Sequence, residues 1–307
     1  MKHSIVTGVL AILCTAGSAA PALAPQGQRP CERSNAALRL ASRERAEAAY
    51  WLRVSRVLHD AGGVHVSDLR DAWKDRGAAL KLADEVFTAR ETACAMFGHG
   101  IHAPDVASGN FTTHANNVYL PLEPGRVLVR EKQTDEGLER IESSVAEGTV
   151  EIGGIECLVI QERETIDGVL VEYTDNWVAQ HADGSIWYFG ELAQSFEGGI
   201  LDSLDGSWRY GSQGAMPGVL MPATPMLGAA YRQEFLLGVA EDVAQVVRLD
   251  ETVTVPAGTF HHCVVIAEWD PLEPFEYLLT FIAPNVGMVL EIDTRTGERS
   301  ELVEIRD

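Results

Sequence analysis

The spacing of apolar residues changes from helical to strand-like near residue 110. Apolar side chains recur at three- and four-residue intervals at Leu38, Ala41, Ala48, Ala49 and Leu52. Ser34 is a candidate N-cap, and Gly62–Gly63 is expected to end this helix. A second helical run from about Ser67 to Cys94 would return antiparallel to the first. The pattern predicts a helical hairpin within a helical region of residues 25–110.

From about Asn116 onward, short apolar runs alternate with turn residues. The runs are 126–129, 158–160, 169–173, 186–189, 243–249, 264–268, 277–282 and 288–292. Their spacing is typical of antiparallel strands joined by hairpins. The chain is therefore predicted to have an α+β fold, with the helical hairpin followed by a mainly antiparallel β-barrel or curved sheet over residues 115–307.

Three pairs of similar segments occur in the same order in the two halves of the β region. Thr149–Ile160 resembles Thr252–Ile266, with 120–125 and 221–228 upstream and 177–184 and 281–287 downstream. A repeated order of this kind predicts a duplicated unit. Two units that complete one barrel would leave no exposed strand edges.

Residues 1–24 have the pattern of an export signal. Lys2 and His3 precede the apolar run 5–13, which is followed by small residues. The run is shorter than the ~20 apolar residues that a membrane-spanning helix needs. The pattern predicts a signal peptide, a periplasmic or secreted mature protein, and no stable membrane insertion.

Export makes disulfide bonds the expected state of the remaining cysteines. Cys31, Cys94, Cys157 and Cys263 form an even set, which allows three pairings. The organisation of the chain favours Cys31 with Cys94 and Cys157 with Cys263, with both bonds stapling the predicted fold. A zinc site is the alternative, but the sequence has no closely spaced cysteine pair, so no metal is predicted.

The charge of the chain is uneven. Its 307 residues carry 24 basic and 45 acidic side chains, a net charge of −21. Residues 1–90 have 13 basic and 9 acidic side chains, net +4, so residues 91–307 carry −25. This balance argues against nucleic acid as a partner and against adhesion to anionic lipid. Arginines give the first helix a basic face that either pairs within the protein or docks onto an acidic surface or external anion.

Several segments of the β region resemble a widespread group of uncharacterised bacterial secreted proteins and lipoproteins. They are NNVYLPLEPG, NWVAQHADGSIWYFGE, GSWRYGSQGAMPGVLMPATP, YRQEFLLGVAED and ETVTVPAGTF. The likeness covers residues 115–307 only. A stretch similar to VTVPAGTF also occurs in envelope β-barrel proteins with lipocalin-like or lipoprotein-carrier-like architecture. The resemblance implies an envelope location and a barrel-like domain. The group has no established activity that could be expected of this chain.

The first candidate site is an aromatic insertion, residues 187–221, where the two repeats do not match. It contains Trp187, Tyr188, Glu191, Trp208 and Tyr210. Such a cluster can stack on a sugar ring or clamp an apolar ligand while polar groups orient it. Alternatively, these aromatic side chains simply fill the interior of the barrel.

The second candidate site combines Tyr231, Arg232, Glu234, Glu241 and Asp242. These residues either form ion pairs that support the fold or supply paired carboxylates for general acid and base chemistry. The sequence contains no nucleophile elbow, phosphate-binding loop or dinucleotide fingerprint, so no cofactor is predicted.

The preferred functional hypothesis is an exported envelope binding module for a small apolar, glycan or cationic ligand. One alternative is a secreted carboxylate-dependent hydrolase or lyase. Another is a protein–protein interaction or assembly factor that binds its partner through the basic hairpin. Since no catalytic motif is present, the sequence leaves open whether the protein is an enzyme.

Overall fold

The computed structural model describes residues 29–60 and 63–306. The predicted signal peptide, residues 1–24, lies outside this range. The described part contains helix α1 (Pro30–Leu58), helix α2 (Val66–Phe97) and a 3₁₀ turn (Ser108–Asn110). The strands are β1 (Phe111–Thr112), β2 (Val127–Thr134), β3 (Gly137–Val145), β4 (Val150–Ile152), β5 (Ile155–Ile166), β6 (Val169–His181), β7 (Ile186–Glu197), β8 (Ile200–Ser203), β9 (Trp208–Arg209), β10 (Met216–Met221), β11 (Ala230–Arg232), β12 (Glu234–Phe235), β13 (Val243–Val255), β14 (Gly258–Trp269), β15 (Leu278–Ala283), β16 (Gly287–Asp293) and β17 (Arg299–Arg306).

Helix α1 begins one turn earlier than the sequence pattern predicted. Pro30 occupies its first turn, and the Glu32 carboxylate accepts a hydrogen bond from the Arg29 backbone N–H at 3.2 Å. Ser34 lies inside the helix, where its hydroxyl donates to the Cys31 carbonyl at 2.9 Å. The prediction of Ser34 as the N-cap is therefore wrong, because proline at the first position and a capping glutamate start the helix upstream.

The predicted Cys31–Cys94 disulfide is confirmed. It joins the start of α1 to the last turn of α2, with a Cα–Cα distance of 5.9 Å. The bond closes a loop with a sequence separation of 63 residues. In the chain-entropy model a loop of this length stabilises the fold by about 4 kcal/mol.

The basic face of α1 pairs largely with acidic residues of α2. Arg39 and Arg43 each contact Asp84, at 2.8 and 3.0 Å, and Arg53 pairs with Asp75. These pairs are partly exposed, so each contributes little to stability. They nevertheless account for several of the arginines that sequence reasoning had assigned either to internal pairing or to an external anion.

The strands form a nearly closed antiparallel barrel. Strands β2, β3, β5, β6 and β7 are neighbours in that order, as are β13 to β17, and β17 pairs with β2. At the other seam β7 pairs with β10, β10 with β12, and β11 with β13. The predicted helical hairpin and antiparallel barrel are confirmed. The internal duplication stays a prediction.

The seam depends on one glycine. A Cβ atom at Gly218 would lie 2.3 Å from the carbonyl oxygen of Arg232 and 2.4 Å from that of Gln233. Any side chain would therefore push β10 away from the segment Ala230–Phe235. Glycine permits this close approach of two backbones.

The predicted Cys157–Cys263 disulfide is wrong. Both cysteines are free and fully buried. Cys157 packs in an apolar cluster with Ile152 and Phe189, whereas Cys263 belongs to a different cluster with Val253 and Leu302. Each thiol is therefore a small core residue, because its apolar neighbours and not a second sulfur fill the space around it.

A buried ion pair attaches the helical hairpin to the barrel. Arg90 of α2 donates from Nε and Nη2 to the two carboxylate oxygens of Glu241, at 2.8 and 2.5 Å. The exposed fractions of the two side chains are 7% and 2%. The Gly238 N–H adds a third hydrogen bond to Glu241 at 2.7 Å. Two parallel hydrogen bonds from one guanidinium fix the orientation of α2 on the barrel.

No helix in the described ranges is both long enough and apolar enough to span a membrane.

The number of free thiols can be measured with a thiol-specific reagent. In the chain lacking residues 1–24, we expect a thiol reagent to modify no cysteine in the native state and two in urea. Burial raises the pKa of Cys157 to about 12, so the thiolate needed for reaction is scarce in the folded protein. Recovery of a Cys157–Cys263 peptide from a non-reducing digest would contradict this structure.

The buried ion pair should dominate hairpin docking. We expect Arg90→Met to lower the free energy of unfolding by about 3–5 kcal/mol, because Glu241 would lose its buried partner. The double variant Arg90→Met/Glu241→Leu should recover part of this loss. Arg53→Met, at the exposed pair with Asp75, is the control and should cost at most about 1 kcal/mol. Equal losses in urea denaturation for Arg90→Met and Arg53→Met would contradict the assignment.

Candidate functional site

The barrel encloses a cavity of about 650 Å³. Strands from all around the barrel contribute to its wall at alternate positions, as in Leu128 with Arg130 and Ile160 with Glu162. Alternation arises because successive side chains of a strand point to opposite faces. The cavity is therefore the interior of the barrel.

The wall of this barrel cavity is strongly acidic. Its carboxylates are Glu123, Glu162, Glu172, Glu191, Glu234, Asp242, Glu268 and Glu291. The only cationic side chains of the described wall are Arg126 and Arg130. Arg130 contacts Glu162 at 3.3 Å, and Arg126 contacts Glu123 at 3.8 Å. Both arginines are thus already committed to acidic neighbours.

Most carboxylates of the described wall have no such compensation. Within residues 29–60 and 63–306, no cationic side chain forms an ion pair with Glu191, Glu234 or Asp242. All three are half-buried at the cavity surface. Uncompensated carboxylates in a site of low solvent access are costly to ionise.

Burial raises the pKa values of all three carboxyl groups. Burial and the nearby carboxylates of Glu172 and Glu162 raise the pKa of Glu191 to about 7. Burial, with Asp270 and Glu191, raises the pKa of Asp242 to about 8. The pKa of Glu234 is raised well above its usual range by burial and by Asp242. These carboxyl groups are therefore largely protonated at a pH at which an exposed carboxyl group is ionised.

Hydrogen bonding around Tyr188 is consistent with a protonated Glu191. The Tyr188 hydroxyl lies 2.9 Å from Glu191 Oε2 and also contacts Asn176 Oδ1. A phenol has one proton to donate. Both contacts are hydrogen bonds when Glu191 carries a proton, donates it to Tyr188, and leaves Tyr188 to donate to Asn176.

Glu268 is held differently from the other carboxylates. The Gln233 side-chain amide donates to Glu268 Oε1 at 2.6 Å, and the Thr280 hydroxyl donates to the other oxygen. These bonds favour the charged form, although burial still raises the pKa of Glu268 overall. Glu268 is therefore fixed in position by two side-chain donors, whereas Glu234 has only the indole N–H of Trp208 nearby among the described residues.

The remaining wall of the cavity is apolar. It is formed by Leu120, Leu122, Leu128, Ile160, Leu220, Met221, Leu278, Ile282 and Val286. The cavity is thus amphipathic, with an acidic part and an aliphatic part that can bury the chain of a small ligand.

The structure brings together only some of the residues predicted from sequence. Tyr188, Glu191, Glu234 and Asp242 line the barrel cavity. Arg232 and Glu241 line a second cavity beside the helical hairpin.

The other four predicted site residues, Trp187, Trp208, Tyr210 and Tyr231, line neither cavity. Trp187 packs edge-on against Phe111, and Tyr210 packs against Phe189, on the opposite side of β7 from Tyr188. Trp187 and Tyr210 therefore belong to core packing on the outer side of the strand, where alternation places them. Trp208 packs edge-on against Tyr188, with ring centroids 5.4 Å apart, and Tyr231 packs against the same interior cluster, so these two side chains help to fill the barrel.

Sequence reasoning missed five of the eight carboxylates of the wall. The unpredicted wall residues are Glu123, Glu162, Glu172, Glu268 and Glu291, together with Arg130. The signal of the strand glutamates in the sequence was an acidic residue two positions from an apolar one in the same strand, as in Ile160 and Glu162. Solvent-facing positions of an ordinary strand give the same pattern, so the sequence could not separate an acidic interior from an acidic surface.

No metal centre is evident in this region. The described ranges contain no group of three or more His, Cys, Asp or Glu side chains placed to hold a metal ion.

Three solved structures are similar to part of this chain. One is described as an exported protein with a YmcC-like fold from Bacteroides fragilis, with 17% identity and a TM-score of 0.37, covering 62% of this chain and 100% of that chain. The second, described as a lipoprotein from Parabacteroides distasonis, has 15% identity and a TM-score of 0.34, covering 62% and 99%.

The third is a β-barrel-like protein of a domain of unknown function from Brucella abortus, with 12% identity and a TM-score of 0.30, covering 59% and 95% of the two chains. No family model and no curated protein matches this chain. Likenesses at this level carry no argument about function.

The raised pKa values predict how stability depends on pH. A carboxyl group with a raised pKa binds more protons in the folded than in the unfolded state between its two pKa values. Stability from Glu191 and Asp242 is therefore present below about pH 4 and is lost as the pH rises toward their folded pKa values of about 7 and 8.

We expect Glu191→Gln to reduce the loss of unfolding free energy between pH 5 and pH 8, measured by urea denaturation. Burial lowers the pKa of His102, which acts in the opposite sense but equally in both proteins. The control is Glu136→Gln, at an exposed turn position, which should keep the wild-type slope. A Glu191→Gln slope equal to that of the control would contradict the assignment.

Proposed function

We propose that this protein is an exported binding protein whose barrel cavity takes a small amphipathic organic cation, such as an amine with an aliphatic chain. The observation that carries this proposal is the amphipathic cavity of about 650 Å³ in which Glu191, Glu234 and Asp242 have no cationic partner. The proposed export depends on the signal-like residues 1–24 and is compatible with the Cys31–Cys94 disulfide.

The size of the cavity suits a small molecule. Ligand cavities commonly have volumes of roughly 300–1,000 Å³ and mix apolar walls with a few polar groups that fix orientation. Here the aliphatic residues can bury a hydrocarbon chain, and each buried CH₂ contributes about 0.8 kcal/mol. Glu191, Glu234 and Asp242 can bind the charged end of the same ligand.

The charge of the wall selects among the three ligand classes that the sequence left open. A purely apolar ligand would leave the carboxylates of the wall without a polar partner, which is unfavourable. A glycan is favoured by exposed aromatic platforms, but the described cavity wall has only Tyr119 and Tyr188 as aromatic residues, and Tyr188 is 4% exposed. A cation would form charge-assisted hydrogen bonds with the carboxylates and replace the protons that they hold.

Titration calorimetry with decylamine and decanol, kept below their aggregation limits, tests this proposal. We expect the amine to bind and the alcohol of the same chain length to bind at least tenfold more weakly. Glu234→Gln should weaken the amine at least tenfold, which corresponds to about 1.4 kcal/mol. Glu136→Gln removes an exposed carboxylate outside the cavity and should leave the affinity unchanged.

Equal affinities for the amine and the alcohol would refute a site selective for cations. So would amine binding that Glu234→Gln does not weaken while the variant stays folded by circular dichroism. Binding should also release protons, so the calorimetric heat at pH 7 should differ between buffers of different ionisation enthalpy.

One observation favours an enzyme as the second candidate. A carboxyl with a pKa of about 7, such as Glu191, can act as a general acid or base near neutrality. Mass spectrometry of the ligand after prolonged incubation separates the two functions. A binding protein returns the ligand unchanged, whereas an enzyme returns a product whose formation Glu191→Gln would abolish.

A further inference from the structure

A second cavity of about 470 Å³ lies between the helical hairpin and the barrel, and its charge is opposite to that of the barrel cavity. We infer that this interface cavity binds a small organic carboxylate through Arg232. Its wall combines the Cys31–Cys94 end of the hairpin, the loop around Ile101, and Arg232 and Glu241 of the barrel seam.

Arg232 is a guanidinium without an anion. It lies over the rings of Phe97 and Phe235, each 4.8 Å from its central carbon. In the described part of the chain it forms no ion pair and no side-chain hydrogen bond. Aromatic rings stabilise a guanidinium but leave its N–H donors, which lie in its plane, without acceptors. Arg232 is half-buried at the cavity wall, so these donors are available to a ligand there.

The nearest carboxylate of the wall cannot serve as that acceptor. Glu241 accepts two hydrogen bonds from Arg90 and a third from the Gly238 N–H. The charged wall residues are thus Arg90, Arg232 and one carboxylate, which leaves the cavity with one positive charge in excess. His102 also lines the cavity, and its Nε2 contacts the Pro217 carbonyl at 3.0 Å. A single carboxylate on a ligand would balance the excess charge and can bind a guanidinium through two parallel hydrogen bonds.

A buried, unpaired acceptor in the same wall is independent evidence for a ligand. Asn35 is only 2% exposed, and its side-chain amide donates to the Phe87 carbonyl at 3.0 Å and to Glu91 at 2.8 Å. Its carbonyl oxygen has no donor. Buried polar atoms without partners are rare in folded proteins. A hydroxyl or amine on the ligand would satisfy this oxygen.

The apolar part of the wall defines the rest of the ligand. Ala93, Phe97, Ile101 and Leu237 surround the polar groups. The chemical class is therefore a carboxylic acid with a short aliphatic body, and a hydroxyl or amine would add a contact to Asn35.

The two cavities share one wall but differ in chemistry. Arg232 and Glu241 face the interface cavity, whereas Glu234 and Asp242 face the barrel cavity. The inference therefore does not depend on the proposed amine site, and either site can fail while the other stands.

Titration of the purified protein with octanoate, and with octanol as the uncharged reference, tests the interface cavity. We expect octanoate to bind and Arg232→Gln to weaken it at least tenfold. Arg248→Gln is the matched control, because Arg248 also lies over a phenylalanine ring, Phe281 at 5.3 Å, but lines neither cavity. This control should retain wild-type affinity for octanoate.

A second variant protects the test against misfolding of Arg232→Gln. Ile101 is 77% exposed and lines the interface cavity, so Ile101→Asp adds a negative charge with little expected effect on folding. It should weaken octanoate at least threefold. Ile200→Asp, at a position that is 74% exposed outside both cavities, should not.

The inference is overturned if octanoate does not bind the folded wild-type protein at millimolar concentration, or if octanol binds as well as octanoate. It is also overturned if octanoate affinity survives both Arg232→Gln and Ile101→Asp. If the wild-type protein binds octanoate but not decylamine, the proposed function is rejected and this inference stands.

Discussion

The closure of the barrel at the segment Ala230–Phe235 determines the rest of the structure. Its first half pairs with β13 and its second half pairs with β10, so one short stretch of backbone joins both edges of the sheet. Gly218 allows the close approach that this joint needs. Because the segment changes partner at Gln233, Arg232 and Glu234 line different cavities although they are two residues apart.

The same seam also positions the helical hairpin. Glu241 lies just beyond the segment and binds Arg90 of α2 through two hydrogen bonds in a buried environment. An ion pair of this kind is costly to desolvate, so its value lies in orientation as much as in stability. Because Glu241 is bound to Arg90, it does not form an ion pair with Arg232. The net positive charge of the interface cavity is therefore a consequence of how the hairpin docks.

The acidic barrel cavity stores unfavourable electrostatic energy. Carboxylates that are taken out of water and placed near one another cannot all ionise, and their pKa values rise accordingly. The Cys31–Cys94 disulfide and the apolar clusters of the barrel provide stability that offsets this cost. Perturbed pKa values concentrated in a cavity are typical of sites that exchange protons or bind charged ligands.

The sequence by itself determined the helical hairpin and the antiparallel strands, and it favoured the Cys31–Cys94 pairing. These features depend on local periodicity, turn residues and the order of elements along the chain. Tertiary structure decided which carboxylates share the barrel interior, that Cys157 and Cys263 stay apart as thiols, and that Glu241 binds Arg90. Strand alternation predicts two faces but does not say which face is enclosed, because that depends on how the sheet curves and closes.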